Sequence, residues 1–319
     1  MKLQTEIPLK PEEDHIDYSS KIVLLGSCFS ENIGAKFDWF KFQNLQNPFG
    51  IIFNPVSIEN LIARAIANEN FSEKDIFEHN GIWKCFETHS ELASLDKAEF
   101  LQKLNNALLE LRNWLYSATH IIFTFGTSWV YREIKENEIV ANCHKLPQKN
   151  FKKELLSIEA ISKSLQTIFD KISAINPKAT IINTVSPVRH IKDGFVENSL
   201  SKAHLLSALH ETTHQLSTKN HQLKYFPSYE IMMDELRDYR FYSEDMLHPN
   251  KTAVEIIWQK FSKVWIASET EALQKEIASI QNGLKHKPFN PESAEHFQFL
   301  ETLQKKTNLV QEKFPHIKF

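Results

Sequence analysis

Glycine is scarce in this chain, with seven residues in 319, and cysteine is scarcer, with three. Neither a G-x-G-x-x-G dinucleotide fingerprint nor a P-loop is present, which excludes the common glycine-rich phosphate cradles. Cys28, Cys85 and Cys143 stand too far apart for a disulfide framework or a zinc knuckle. No apolar run is long enough to span a bilayer, and the opening MKLQTEIPLKPEED lacks the apolar core of a secretory signal. Charge of one sign is lacking too: a net charge of −3 leaves no basic stripe for nucleic acid or an anionic membrane. These absences predict a cytoplasmic protein without a nucleic-acid or membrane partner.

What is present is ordinary for a globular protein, 42% hydrophobic and 24% charged residues in a chain long enough for a large core. Short apolar runs at 22–25, 121–125 and 180–185 read as buried parallel strands. A fourth is expected over 224–231, and a short one near Leu45 or Ile51. Helical patterns separate them. Ser57 is expected to cap a helix through Ala67, Leu101, Leu104, Leu108 and Leu111 recur at helical spacing, and Ile158, Ile161, Leu165 and Ile168 do so before Asn176-Pro177. Further helices are expected over about 200–216 and from Asn250. Such alternation predicts a parallel sheet with helices on both faces and ligands beyond the carboxyl ends of the strands. The charged, helical run after about Ala267 reads as an extension (267–319) packed on a main domain (1–266), a surface for self-association.

In KIVLLGSCFS the first strand breaks at Gly26-Ser27-Cys28. A turn from strand to helix presents its side chain near helix N-terminal amides, which favour an oxyanion. Ser27 is either a helix cap or a nucleophile, and as a nucleophile it needs a base. Cys28 offers a second nucleophile, or a buried packing residue. Far downstream, SEDMLHPN supplies Asp245 and His248 on one loop. In triad logic His248 takes the serine proton and Asp245 fixes its tautomer.

GSCFS, followed by NPFGIIFNP, FTFGTSWVY, NCHKLP and HPN, resembles the GSCFA-domain family, itself similar to the SGNH hydrolases, over roughly residues 20 to 265. Ser30 stands where the family motif ends in alanine. The resemblance implies a flavodoxin-like, three-layer α/β/α fold and a triad of Ser27, Asp245 and His248. It implies an esterase or acyltransferase acting on an oxygen ester, such as an O-acetyl group on a carbohydrate, without a cofactor. It also implies oxyanion donors: the Ser27 amide, Gly50, and an asparagine expected near Gly126, where this chain reads Gly126-Thr127-Ser128. Thr127, Asn54 and Asn142 are chemically able to replace it. Asn54, Gly126, His144, Ser186 and Arg189 are candidate substrate contacts, with Arg189 suited to a carboxylate or phosphate.

Two other readings compete. A silent binding module would keep the cleft without turnover. A zinc hydrolase would use His210-Glu211-Thr212-Thr213-His214, which matches H-E-x-x-H, with Glu230 or Glu235 as third ligand. That helix buries Leu205, Leu209 and Leu216, which sets His210 beside an apolar stripe and argues against a metal.

Overall fold

Apolar runs that are continuous along the chain divide, once in strands, between the two faces of one sheet. The computed structural model describes residues 5–217 and 222–319. β1 (Lys21–Gly26) leads into α1 (Cys28–Trp39), and β2 (Gln43–Gln46) into α2 (Pro55–Ala67). A small hairpin of β3 (Phe77–His79) and β4 (Ile82–Lys84) precedes α3 (Lys97–Ser117) and β5 (His120–Phe125). β6 (Trp129–Glu133), β7 (Glu138–Val140) and β8 (Phe151–Leu155) form a separate antiparallel sheet. α4 (Ile158–Ile175), β9 (Thr180–Val185), α5 (Phe195–Ser217) and β10 (Leu223–Tyr225) resume the alternation. α6 (Ser228–Glu230) runs into a π-turn at Ile231–Glu235, and α7 (Lys251–Trp265), α8 (Glu271–Lys285) and α9 (Ala294–Lys313) complete the chain.

The five long-range strands pair in parallel in the order β10-β9-β5-β1-β2. Counting those strands alone, this is the 2-1-3-4-5 order of a flavodoxin-like sheet. Val23, Leu25, Ile121, Phe123, Phe125 and Ile181 pack under α2 to α5. Their neighbours Ile22, Leu24, Ile122 and Ile182 pack on the opposite face, under α1 and α7. Period-two alternation with both faces covered gives three layers, and explains why β1, β5 and β9 carry apolar side chains on both faces. Ile277 and Ile280 of α8 and Leu303 and Val310 of α9 join that second core, so the C-terminal helices share the packing of α1.

Three local expectations need correction. Asn54, not Ser57, caps α2: its Oδ1 accepts the Ser57 amide at 2.9 Å, and Pro55 takes the first helical position, where no amide is needed. The strand expected over 224–231 stops at Tyr225. Beyond it Pro227 turns the chain, and Ser228 Oγ donates to Val185 O at 2.9 Å, fixing the start of α6 instead. The helix expected from about 200 begins five residues earlier, at Phe195.

The register places the site. Gly26 pairs with Thr124 and Phe125 with Val185, so Ser27, Gly126 and Ser186 leave the sheet along one edge. Among the described residues, no helix is long and apolar enough to cross a membrane.

Candidate active site

Gly26 is dictated by the close approach of β5. Its φ is +147°, and a Cβ there would lie 2.2 Å from Thr124 O, inside contact distance. Ser27 follows as the cap of α1, fully buried, its Oγ accepting the Phe29 amide at 3.2 Å. The Ser27 amide continues the ladder by donating to Thr124 O at 3.0 Å. It is therefore committed to the sheet. Burial, reinforced by the Glu31 carboxylate, pushes the Cys28 thiol up, so Cys28 is not a poised thiolate.

Across the same edge, the loop before α7 is organised by Asp245. Its Oδ1 accepts the amides of Leu247 (2.9 Å) and His248 (3.0 Å), and its Oδ2 meets His248 Nδ1 at 2.5 Å. The His248 amide, the Leu247 amide and the His248 ring, in that order, hold the carboxyl at about 2. Met246 takes the left-handed conformation that folds this turn (φ 60°). With Nδ1 bonded to the carboxylate, Nε2 is left as the acceptor a general base requires. The Arg189 amide donates to Leu247 O at 3.2 Å, fastening the loop to the chain leaving β9. The Arg189 guanidinium stacks 4.3 Å from the Tyr242 ring centroid, a packing role for that residue.

Two residues that the sequence reading passed over connect these parts. Lys202 of α5 is fully buried, and its Nζ donates to Gly126 O (2.6 Å) and Ser186 O (2.8 Å), the ends of β5 and β9. Burial lowers it to about 7, and its charge and the Cys28 thiol act on each other. His190, stacked on Phe53 at 5.0 Å, is lowered to about 3 by burial, by Lys202 and by His248. Cys28, Lys202, His190 and His248 thus form one electrostatically connected series. Lys202 had a signal in the sequence: it shares helical phase with the buried Leu205 and Leu209, where a lysine is out of place.

The other candidates hold loops. Gly50, at φ +74°, donates its amide to Asn47 O at 2.7 Å, closing a turn against His89. Thr127 Oγ1 is shared with Ser201 Oγ (2.9 Å) and accepts the Trp129 amide (3.0 Å). Ser186 Oγ accepts the Val188 amide at 3.3 Å. Gly126 leaves space between Phe53 and His190, each 3.0–3.1 Å from where a Cβ would sit. A cleft of about 500 Å³ opens here, with Phe53, Asn54, Thr127, Trp129, Asn142 and His190 in its walls. Asn142 Oδ1 accepts the His144 amide at 2.7 Å. The His144 ring turns away from that wall to Cys85 O (2.6 Å), between Phe77 and Phe86, where burial lowers its pKa. Its neighbours Cys143 and Lys145 line the cleft in its place.

The H-E-x-x-H stretch lies on α5 with its stripe buried as read, but its third ligands are engaged elsewhere. Glu230 accepts the Tyr225 hydroxyl at 2.8 Å, and Glu235 binds the Ile7 amide (3.0 Å) and Lys260 (2.7 Å). Among the described residues, no three His, Cys, Asp or Glu side chains are grouped to hold a metal.

A family model described as "GSCFA family" matches residues 21–261, and one described as "GSCFA domain protein, C-terminal domain" matches residues 277–319. Among curated proteins no match is found. Similar solved structures include a carbohydrate esterase family 3 protein from Talaromyces cellulolyticus, at 8% identity and TM-score 0.38. An acetyl esterase mutant with an acetate ion matches at 11% identity and TM-score 0.31. In each case the match covers 81% of this chain and 99% of the other.

Proposed function

The chain belongs to the GSCFA family, and from that premise we propose a serine hydrolase or acyltransferase acting on an oxygen ester, with an O-acetyl group on a carbohydrate as the model substrate. Ser27 is the nucleophile, His248 the general base and Asp245 the residue that orients it. The observation that carries the reading is the Asp245–His248 pair, held at 2.5 Å on one loop.

In this mechanism Ser27 Oγ leaves the Phe29 amide and attacks the ester carbonyl while His248 Nε2 takes its proton. Asp245, ionised at all working pH, stabilises the imidazolium. Collapse of the tetrahedral intermediate expels the alcohol, which takes the proton from His248. Water or a second alcohol, deprotonated by the same His248, then attacks the acyl-serine. The second tetrahedral intermediate breaks its bond to Ser27 Oγ, which takes the proton back from His248, and the acid or the new ester is released. The amides opening α1 favour the negative charge that develops beside them.

A second reading, a binding module without turnover, is favoured by one observation: Ser27 is fully buried and its Oγ is already used as a helix cap. A fluorophosphonate probe on wild type and Ser27→Ala separates the two, since labelling that depends on Ser27 belongs only to an activated serine. Free, widely spaced cysteines support a reducing cytoplasmic setting. The 1–266 catalytic and 267–319 helical division, with self-association through the latter, belongs to the same proposal. Exposed Phe289, Phe297 and Leu309 support the self-association.

A further inference from the structure

We infer that His190 is a catalytic residue, donating a hydrogen bond from Nε2–H to the oxyanion that forms on the substrate carbonyl; the inference rests on Ser27 being the nucleophile. A tetrahedral intermediate at Ser27 needs preorganised donors about 3 Å from its oxygen. Three of the candidate donors are spent. The Ser27 amide is bonded to Thr124 O and the Gly50 amide to Asn47 O. Thr127 Oγ1 is held by Ser201 and Trp129.

His190 is in the opposite condition. Its Nε2 is buried and has no hydrogen-bond partner, a state that costs stability and that structures avoid unless something else fills it. His190 is one of the residues in the cleft wall, and its Nε2 lies 3.1 Å from where a side chain on Gly126 would begin. Glycine is needed at this position, because a Cβ 3.0 Å from Phe53 and 3.1 Å from Nε2 would crowd the ring at the end of β5, the strand paired with the one that leads into Ser27.

The ring is also fixed before any substrate arrives. Phe53 stacks on one face, and the His190 amide donates to Asn198 Oδ1 at 2.9 Å, which anchors the backbone. Such rigidity lets a donor stabilise charge without reorganising first. Its charged neighbours complete the case. Burial first, then the charges of Lys202 and His248, lowers the imidazole to about 3, so it is neutral at working pH. A neutral ring carries one N–H to donate and does not compete with His248 for the serine proton. The positive potential of the same neighbours favours the oxyanion once it forms.

The test uses 4-nitrophenyl acetate hydrolysis by the full chain, with Ser27→Ala as the blank. His190→Phe keeps the stack on Phe53 and removes the donor; His190→Leu serves as a second apolar variant should the first fail to fold. His190→Gln keeps an N–H donor. The expected result is a loss of about a hundredfold or more in kcat for the apolar variants, with KM nearly unchanged. Partial recovery is expected in His190→Gln, with all melting temperatures close to wild type. Wild-type kcat in a folded apolar variant overturns the inference and leaves the Ser27 reading intact. Hydrolysis that is the same in wild type and Ser27→Ala overturns both.

Discussion

The ammonium of Lys202 lies 2.6 Å from the carbonyl of Gly126, on a side chain that is buried almost completely. A second bond to Ser186 O makes this one side chain a clamp across the ends of two neighbouring strands. Burial depresses its pKa to about 7 from an ordinary 10.5, so the unfolded chain holds the proton more tightly than the folded one. Between those values unfolding takes up a proton, and stability rises with pH; below about 7 both states are protonated and the contribution is flat. Wild type should therefore gain stability over Lys202→Met as pH rises from about 7 to 10. Urea denaturation of both proteins across that range checks it, and parallel curves would count against a titrating Lys202.

Ser27→Ala should abolish esterase turnover and probe labelling with a small structural penalty. The lost cap on Phe29 costs about 1 kcal/mol, a few degrees in melting temperature. His248→Ala and the double variant should lose about as much activity as Ser27→Ala, because a triad acts as a unit. Full activity in Ser27→Ala would remove Ser27 from the mechanism.

Asp245→Asn should keep the turn, since an amide oxygen still accepts from Leu247 and His248. Turnover should fall by about 10⁴-fold, the scale seen when a triad carboxylate becomes an amide. Because the folded carboxyl is held at about 2, below its usual 3.8, its contribution to stability is present above pH 3.8 and is lost as pH falls towards 2. Denaturation midpoints of wild type and Asp245→Asn should converge over that acid range. A gap that stays constant there would mean the pair does not titrate as the geometry requires.

Gly26→Ala should fail where Gly81→Ala succeeds. A methyl on Gly26 meets Thr124 O at 2.2 Å, whereas one on Gly81 meets nothing within 4 Å. Both have positive φ, but +74° is close to the left-handed region that an L residue can enter for about 1–2 kcal/mol, whereas +147° is far outside it, so strain and overlap act together at Gly26. Soluble yield and circular dichroism of the two variants measure the difference.

The sheet was legible because each central strand is apolar on both faces, a pattern that few other elements produce. The Asp245–His248 loop was legible because Asn250, two residues after His248, caps α7 and so places the pair just ahead of a helix start. Less visible were features set by contacts between distant segments. Ser57 looked like a cap, but Asn54 and Pro55 together make a better one. His144 looked like a cleft residue, yet the carbonyl that claims its ring belongs to Cys85, on a hairpin with no strong sequence pattern. His190 follows Ser186-Pro187 with nothing in its neighbours to mark it. Its condition is defined by Phe53, Lys202 and His248, which only the folded chain brings near.

The packing of α8 and α9 onto the face that α1 presents has a consequence for the order of synthesis. α1 leaves the ribosome well before the side chains that seal its outer core, Ile277, Ile280, Leu303 and Val310, have been made. Throughout elongation, Phe29, Ile33 and Phe37 lack part of their final cover, a condition that invites premature association of nascent chains. α1 therefore reaches its finished environment only after α8 and α9 have emerged and folded back onto it.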